Sequence, residues 1–460
     1  MKRPLRWLLL ALAAPLQAAQ AADLWETWQA ARDHAPAALT AQAERAVGSA
    51  RGQEAQTLWR PNVNVSASAG LGTLGNSVRG ANFSAPGFGV SNGVGFNTSV
   101  YAGVLTRLAV EARQPLLDRA RQAQMHQLEL ADQASGLQWQ AQNQALMIQT
   151  ASDYFDVVLA EHRQAVLERE QRAVEYALAE TRARFATGAV PVTDTHEANA
   201  RAESIRAELI ALQNEAEYRR AVLADAVGAP VAAAASLAPP RDPALPPLEP
   251  HAWWLDALQS GNPQLRARLA AGEAKREEAR KFAHEAATTV DLVAQLSQDR
   301  LSGGGEYGSA STLGHNGMIG VQVSIPLLTG GSRDARQQEA LRLADQADAE
   351  TDQLRHQLEQ DLGRTWRSLA AAPARLRALD AAVTASQARL EATRTGHQLG
   401  DRTTLDLLNA ESEAARADLA LTEGRIGMLI DRLRLAALGG RLDDNTLQAV
   451  NAALHPDATH

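Results

Sequence analysis

Apolar positions along this chain keep two different rhythms. In four segments they alternate one by one with polar positions. Val63, Val65, Ala67, Ala69 and Leu71 interleave with Asn62, Asn64, Ser66, Ser68 and Gly70. Val100, Ala102, Val104, Leu108, Val110 and Ala112 interleave with Tyr101, Gly103, Leu105, Arg107, Glu111 and Arg113. Val290, Leu292, Ala294 and Leu296 alternate with Asp291, Val293, Gln295 and Ser297; Ile319, Val321, Val323 and Ile325 alternate with Met318, Gly320, Gln322 and Ser324. This period of two predicts strands with one apolar and one polar face. Each reads as about ten residues, the length of a tilted strand that crosses a bilayer. The Gly/Asn/Ser-rich stretches 72–97 and 302–316 read as loops between them.

The second rhythm has the spacing of a helix. From Asp118 to Thr187 there is no proline, and apolar residues recur three and four apart through Leu130, Ala134, Leu137 and Ala141, then Ile148, Ala151, Phe155 and Val158. Some 70 residues at 1.5 Å each span roughly 100 Å. A return helix is predicted from Val192 to Ala226, and a second pair from Ser332 to Gln398 and from Thr403 to Leu438. Pro373 falls inside the second long helix and predicts a kink or break there; the aligned position in the first is Glu161.

The chain repeats. Gln114-Pro115-Leu116-Leu117 and Ile325-Pro326-Leu327-Leu328 each lead into a long helix, and each long helix ends in a turn. Within the turns Gly188 matches Gly400, Asp194 matches Asp406 and Ala198 matches Ala410 at one constant spacing. The starts echo as well, Ala35-Pro36 with Asn262-Pro263. A proline-rich linker separates the halves and excludes helix. The organisation is therefore a leader at 1–21, a first repeat at 22–228, the linker at 229–250, a second repeat at 251–440 and a tail at 441–460.

Composition narrows the class. Hydrophobic residues make up 45% of the 460 residues but aromatics only 4%. Alanine supplies the difference, which suits closely packed helices. Lys2, Arg3 and Arg6 precede an apolar run to Leu16 and a small-residue site at Ala19-Gln20-Ala21, the pattern of a secretory signal peptide. No later run approaches the ~20 apolar residues of a membrane helix. The cysteine count is zero, which removes disulfides, thiolate metal sites and a cysteine-borne lipid, so membrane attachment rests on the fold itself. A net charge of −8 offers nothing to track phosphates, and nucleic acid is not an expected partner.

Four strands cannot close a barrel, and an open sheet edge in lipid leaves N–H and C=O groups unpaired. Several chains must share one wall. Two would give eight strands and a filled interior; three would give twelve and a passage, and three is the reading adopted. A soluble β-sandwich fragment between helices is the alternative for these strands.

Taken together, the duplicated G-x5-D turns, the Pro-Leu-Leu exits, Asn262-Pro263-x-Leu265 and Arg60-Pro61 before the first strand resemble the TolC-like outer-membrane efflux proteins. The resemblance runs from about Asp23 to Leu438. It implies a mainly α protein with a membrane β-barrel: a homotrimer with a 12-stranded β-barrel continued by a 12-helix α-barrel and an equatorial belt. It implies an outer-membrane location facing lipid, a long periplasmic extension, and a passive conduit serving efflux or type I secretion. The implied partners are a periplasmic adaptor and an inner-membrane transporter. In this family the two turns are the periplasmic tips, where the tunnel closes and the adaptor docks. Glycine suits the left-handed turn. Thr193 or Asp194, and Thr404 or Asp406, can cap the next helix or favour its positive end. The expected gate is an Asp194–Arg402 latch between hairpins and a ring of Asp406 carboxylates, with Asn409 where a second acid could stand. The rival role for both aspartates is helix capping alone.

No catalytic constellation stands out. The 11 histidines are scattered without ligand spacing, and Gly303-Gly304-Gly305 lacks the Lys-Ser/Thr of a phosphate cradle and reads as a loop tip. No enzyme activity, cofactor or metal is expected. The competing function is a periplasmic coiled-coil scaffold without a pore.

Overall fold

The computed structural model describes residues 23–87, 89–228, 246–305, 308–327 and 331–454. The leader and most of the proline-rich linker lie outside the described residues. The order is α1 (Leu24–His34), α2 (Pro36–Thr57), β1 (Asn62–Ala85), β2 (Gly89–Leu117), α3 (Arg119–Ala186), α4 (Val192–Val227), α5 (His251–Gly261), α6 (Pro263–Ala283), β3 (Thr289–Gly305), β4 (Gly308–Ser324), α7 (Ser332–Leu399), α8 (Thr404–Leu438) and α9 (Asp444–Leu454). The chain divides into two compact units. One comprises Gly48–Gln133 and Ala270–Ala349; the other comprises the chain to Val47, Ala134–Leu269 and everything from Glu350.

The first unit holds one antiparallel sheet in the order β1-β2-β3-β4. Its register places the four alternating apolar sets on one face, except Val100, which lies beyond the register shift at Gly72 and Leu74 and is buried at 2% exposure. Val65 lies beside Val110 and Val110 beside Leu296; Val63 lies beside Ala112, Ala112 beside Ala294, and Ala294 beside Ile319. This face is uncovered: Leu71 is 90% exposed and Ile319 77%. The opposite face carries ion pairs across strands, Arg107 to Asp299 at 3.4 Å and Arg113 to Asp291 at 3.9 Å. β1 and β4 are the sheet's two edges.

The strands are longer than predicted, 24, 29, 17 and 17 residues. Most of the stretches expected to be loops, 72–97 and 302–316, are paired strand. A ladder is satisfied by backbone groups, which glycine and serine supply as well as valine does. Bulged register between Val78 and Ala81 accompanies Gly80 at φ 74°. The Gly303-Gly304-Gly305 run is likewise the end of β3, not a loop tip. A Cβ on Gly303 would lie 2.1 Å from the Ala102 carbonyl oxygen, so the close approach of β2 requires glycine there.

The second unit is helical. Pro36 and Pro263 open α2 and α6 at the first helical position, where a missing N–H costs nothing. Asn262 accepts from the Leu265 amide at 2.9 Å and donates to the Leu438 carbonyl at 3.0 Å. Leu24 and Trp28 of α1 pack with Tyr154, Phe155, Leu429, Leu433, Leu447 and Val450; the tail at 441–460 thus includes a core helix, α9. Trp254 and Leu258 of α5 pack with Leu265, Leu362 and Leu435. Pro373 does not break α7, which runs unbroken over 68 residues; the loss of one N–H donor is absorbed by the remaining ladder. Among the described residues no helix is long and apolar enough to cross a membrane.

Candidate functional site at the helical tips

Two turns close the helical hairpins, and they are built alike. Gly188 has φ 74° and Gly400 φ 84°. The Ala189 amide donates to the Arg184 carbonyl, and the Asp401 amide to the Gly396 carbonyl, both at 2.9 Å. These are the six-to-one bonds of a Schellman ending, and they need a left-handed residue at the glycine position. Both glycines take the left-handed geometry that a tight helix–helix turn needs.

The helices that follow start differently. α8 is capped by Thr403. Its hydroxyl accepts from the Asp406 amide at 3.1 Å, while Asp406 Oδ2 accepts from the Thr403 amide at 3.0 Å and its hydroxyl at 2.9 Å. This is a capping box. The Thr403 amide and hydroxyl hold the Asp406 carboxyl below the usual carboxylate range. At the start of α4 the N-cap is Pro191, which has neither N–H nor hydroxyl, and no side chain caps the helix. Asp194 occupies the same third helical position as Asp406, but its carboxylate meets only the Thr193 hydroxyl at 3.4 Å among the described residues. One aspartate is bound at home and the other is available.

A crevice of about 110 Å³ between the two helix starts is lined by Asp194, Glu197, Thr403, Thr404 and Leu408. Arg402 is exposed and lies over the last turn of α7: a Cβ on Gly396 would sit 2.8 Å from its Cγ. Within one chain Arg402 and Asp194 form no ion pair among the described residues. Asn409 is exposed on α8.

Behind the tips, buried polar groups tie the hairpins together. Glu170 of α3, 9% exposed, accepts from Arg201 of α4 at 2.8 Å, and the Ser412 hydroxyl of α8 bonds to both. Leu167, Val174, Ala198, Ile205 and Leu408 form an apolar cluster on the same three helices. Closer to the turn, Thr404 Oγ1 lies 3.4 Å from Thr181 Oγ1 and 3.3 Å from the buried His397 Nε2. His162 Nε2 of α3 lies 3.2 Å from Asp418 Oδ2 of α8, and this contact leads the influences that lower the Asp418 carboxyl. Sequence reading missed these joints. At the start of α8 the expected cap is Thr404 or Asp406; the cap in the structure is Thr403, marked by the T-x-x-D spacing to Asp406.

Comparison with known proteins places this geometry. The family model described as outer membrane efflux protein matches residues 27–229 and 254–441. Outer membrane protein TolC of Escherichia coli is 25% identical over 95% of this chain and 85% of its own. The proteases secretion protein PrtF of Dickeya chrysanthemi is 26% identical over 74% of each chain. The crystal structure of the outer membrane protein VceC of Vibrio cholerae superposes with a TM-score of 0.70 at 19% identity, covering 91% of this chain and 97% of that one. The matched segments are the two repeats with their sheet and paired tips, so the chain belongs to the outer membrane efflux protein family and is a channel protein of the outer membrane.

Proposed function

We propose that three copies of this chain form one passive duct of a tripartite efflux or type I secretion system. The observation that carries the reading is the sheet: four strands, an uncovered apolar face and two edges with no strand partner among the described residues. Lipid does not tolerate such edges, and twelve strands from three chains close the wall around a passage. Two relatives point to cargo of different kinds, one named for efflux and one for protease secretion. A duct needs no energy source of its own; an inner-membrane transporter and a periplasmic adaptor supply drive and connection.

The tips are the proposed gate and docking end. The capping box favours a division of labour between the aspartates. Asp406 holds the start of α8, and Asp194, with its carboxylate available, is the acid that pairs with Arg402 of a neighbouring hairpin. Single-channel conductance of trimers in planar bilayers tests the assignment. Asp194→Ala and Arg402→Ala are expected to raise resting conductance alike, with the double variant no higher than either. Unchanged conductance in both removes the latch, and a soluble monomer in place of a conducting trimer returns the pore-free scaffold.

A further inference from the structure

The constant spacing that carries Gly188 to Gly400 also carries Glu161 to Pro373 and Arg220 to Arg432. In the first repeat the latter two are partners: Arg220 Nε donates to Glu161 Oε1 at 2.9 Å, joining α3 to α4. In the second repeat proline stands where the acid would be; among the described residues Arg432 donates to the Pro247 carbonyl at 3.5 Å and feels the charge of Glu249 without an ion pair. The substitution removes a carboxylate and a backbone donor together, since Pro373 cannot serve the Leu369 carbonyl.

A cavity of about 470 Å³ occupies this place. Its apolar wall is Leu369, Pro373, Leu376, Leu421 and Met428, backed by Pro246, Pro247 and Leu248. Arg377, Arg425 and Arg432 also line it, with Asp380 the one acid in the lining, while Glu249 and Asp418 act on Arg432 and Arg425 from outside it. None of the three arginines is in an ion pair among the described residues, whereas neighbours such as Arg163 have one, at 2.6 Å to Glu423. Partial burial pulls Arg432 below the usual arginine value, and Glu249 offsets this only in part. A second cavity, of about 460 Å³, holds Asp431 and Arg434 as neighbours 3.6 Å apart, so it has less charge left over to recruit a ligand.

We propose that the Pro373 cavity binds an anionic amphiphile, its acid group on Arg432 and the flanking arginines, its apolar body on the leucine and methionine wall. The volume suits a small ligand, and guanidinium groups pair with carboxylate, sulfonate or phosphate alike. The ligand supplies the charge that Glu161 supplies in the other repeat.

The test uses intact trimers in discs of zwitterionic lipid, titrated with the fluorophore 8-anilinonaphthalene-1-sulfonate. The control is N-phenyl-1-naphthylamine, which has the same ring body without the sulfonate. Wild type is expected to bind the sulfonate saturably at one site per chain. Arg432→Gln and Pro373→Glu are each expected to weaken it at least about tenfold, the loss of one charge-assisted bond, with a smaller change in the neutral probe's affinity. Pro373→Glu rebuilds the first repeat's ion pair, so it separates a specific site from a general loss of folding. Equal sulfonate affinity in wild type and both variants, or equal losses for both probes, overturns the proposal. Native mass spectrometry of trimers extracted from the outer membrane separates the sources. An anionic lipid carried by wild type and absent from Pro373→Glu assigns the ligand to the membrane; saturable sulfonate binding by lipid-free trimers assigns it to a soluble anion.

Discussion

At the scale of single residues, the two repeats have diverged in what their matched side chains do. Asp194 and Asp406 hold the same helical position, yet Thr403 engages one and Pro191 leaves the other free. Replacing Thr403 with alanine removes an N-cap hydroxyl and is expected to cost about 1 kcal/mol, read as a lower urea midpoint for trimer unfolding. The lowered Asp418 carboxyl gives a pH dependence with a definite sign. Its folded value lies below 3.8, so between that value and 3.8 the unfolded chain binds more protons and stability rises with pH. The gain is complete above this window and is lost as acid carries the pH down through it. Asp418→Asn is therefore expected to flatten the acid side of a urea-midpoint-against-pH curve below about pH 3.8. A curve as steep as wild type's contradicts the assignment to His162 and its neighbours. The matched turns were legible because glycine and aspartate sit close together in sequence. The buried triad was not, because Ser412 and Glu170 stand 242 positions apart.

At the scale of elements, what is local was readable and what is paired was not. The long helices fall within a few residues of their predicted ends, since a helix makes its hydrogen bonds inside its own segment. The strands overran their predicted ends because a ladder borrows its partners from elsewhere, and composition alone reports only propensity. Gly303 shows the difference. As part of a glycine run it resembled a loop, but in the sheet it is the point where β3 passes against the Ala102 carbonyl. Gly303→Val places a branched side chain where even one carbon would lie 2.1 Å from that oxygen. The β2–β3 ladder is expected to open at Gly103 and Gly303, with a severalfold loss of heat-resistant trimer from outer-membrane fractions. Gly304→Val, with nothing within 4 Å of its Cβ position, is the control and should assemble normally. Normal assembly of both variants would falsify the close approach.

At the scale of the whole molecule, parity matters. Because β1 to β4 alternate in direction and are four in number, in a wall shared by several copies β4 of one copy would meet β1 of the next antiparallel. Rotation therefore closes the wall with a single kind of ladder, and no strand has to reverse. The chain has no cysteine, which makes this junction open to a clean crosslinking scan. Ala67→Cys on β1, combined in turn with cysteine at each position from Leu313 to Val321 on β4, is expected to give covalent trimers on oxidation. The efficient pair should be the β4 position directly opposite Ala67, with weaker pairs two residues to either side and none at the positions between, because side chains of adjacent strands meet only when they share a face. The efficient set should fall with Ile319 and Val321, the positions that the sheet's own register puts on the apolar face together with Ala67. Crosslinks without that periodicity would mean that the two edges collide without pairing. Their complete absence from membrane-inserted protein would mean that each sheet finds another way to satisfy its margins, and the trimeric duct would have to be abandoned.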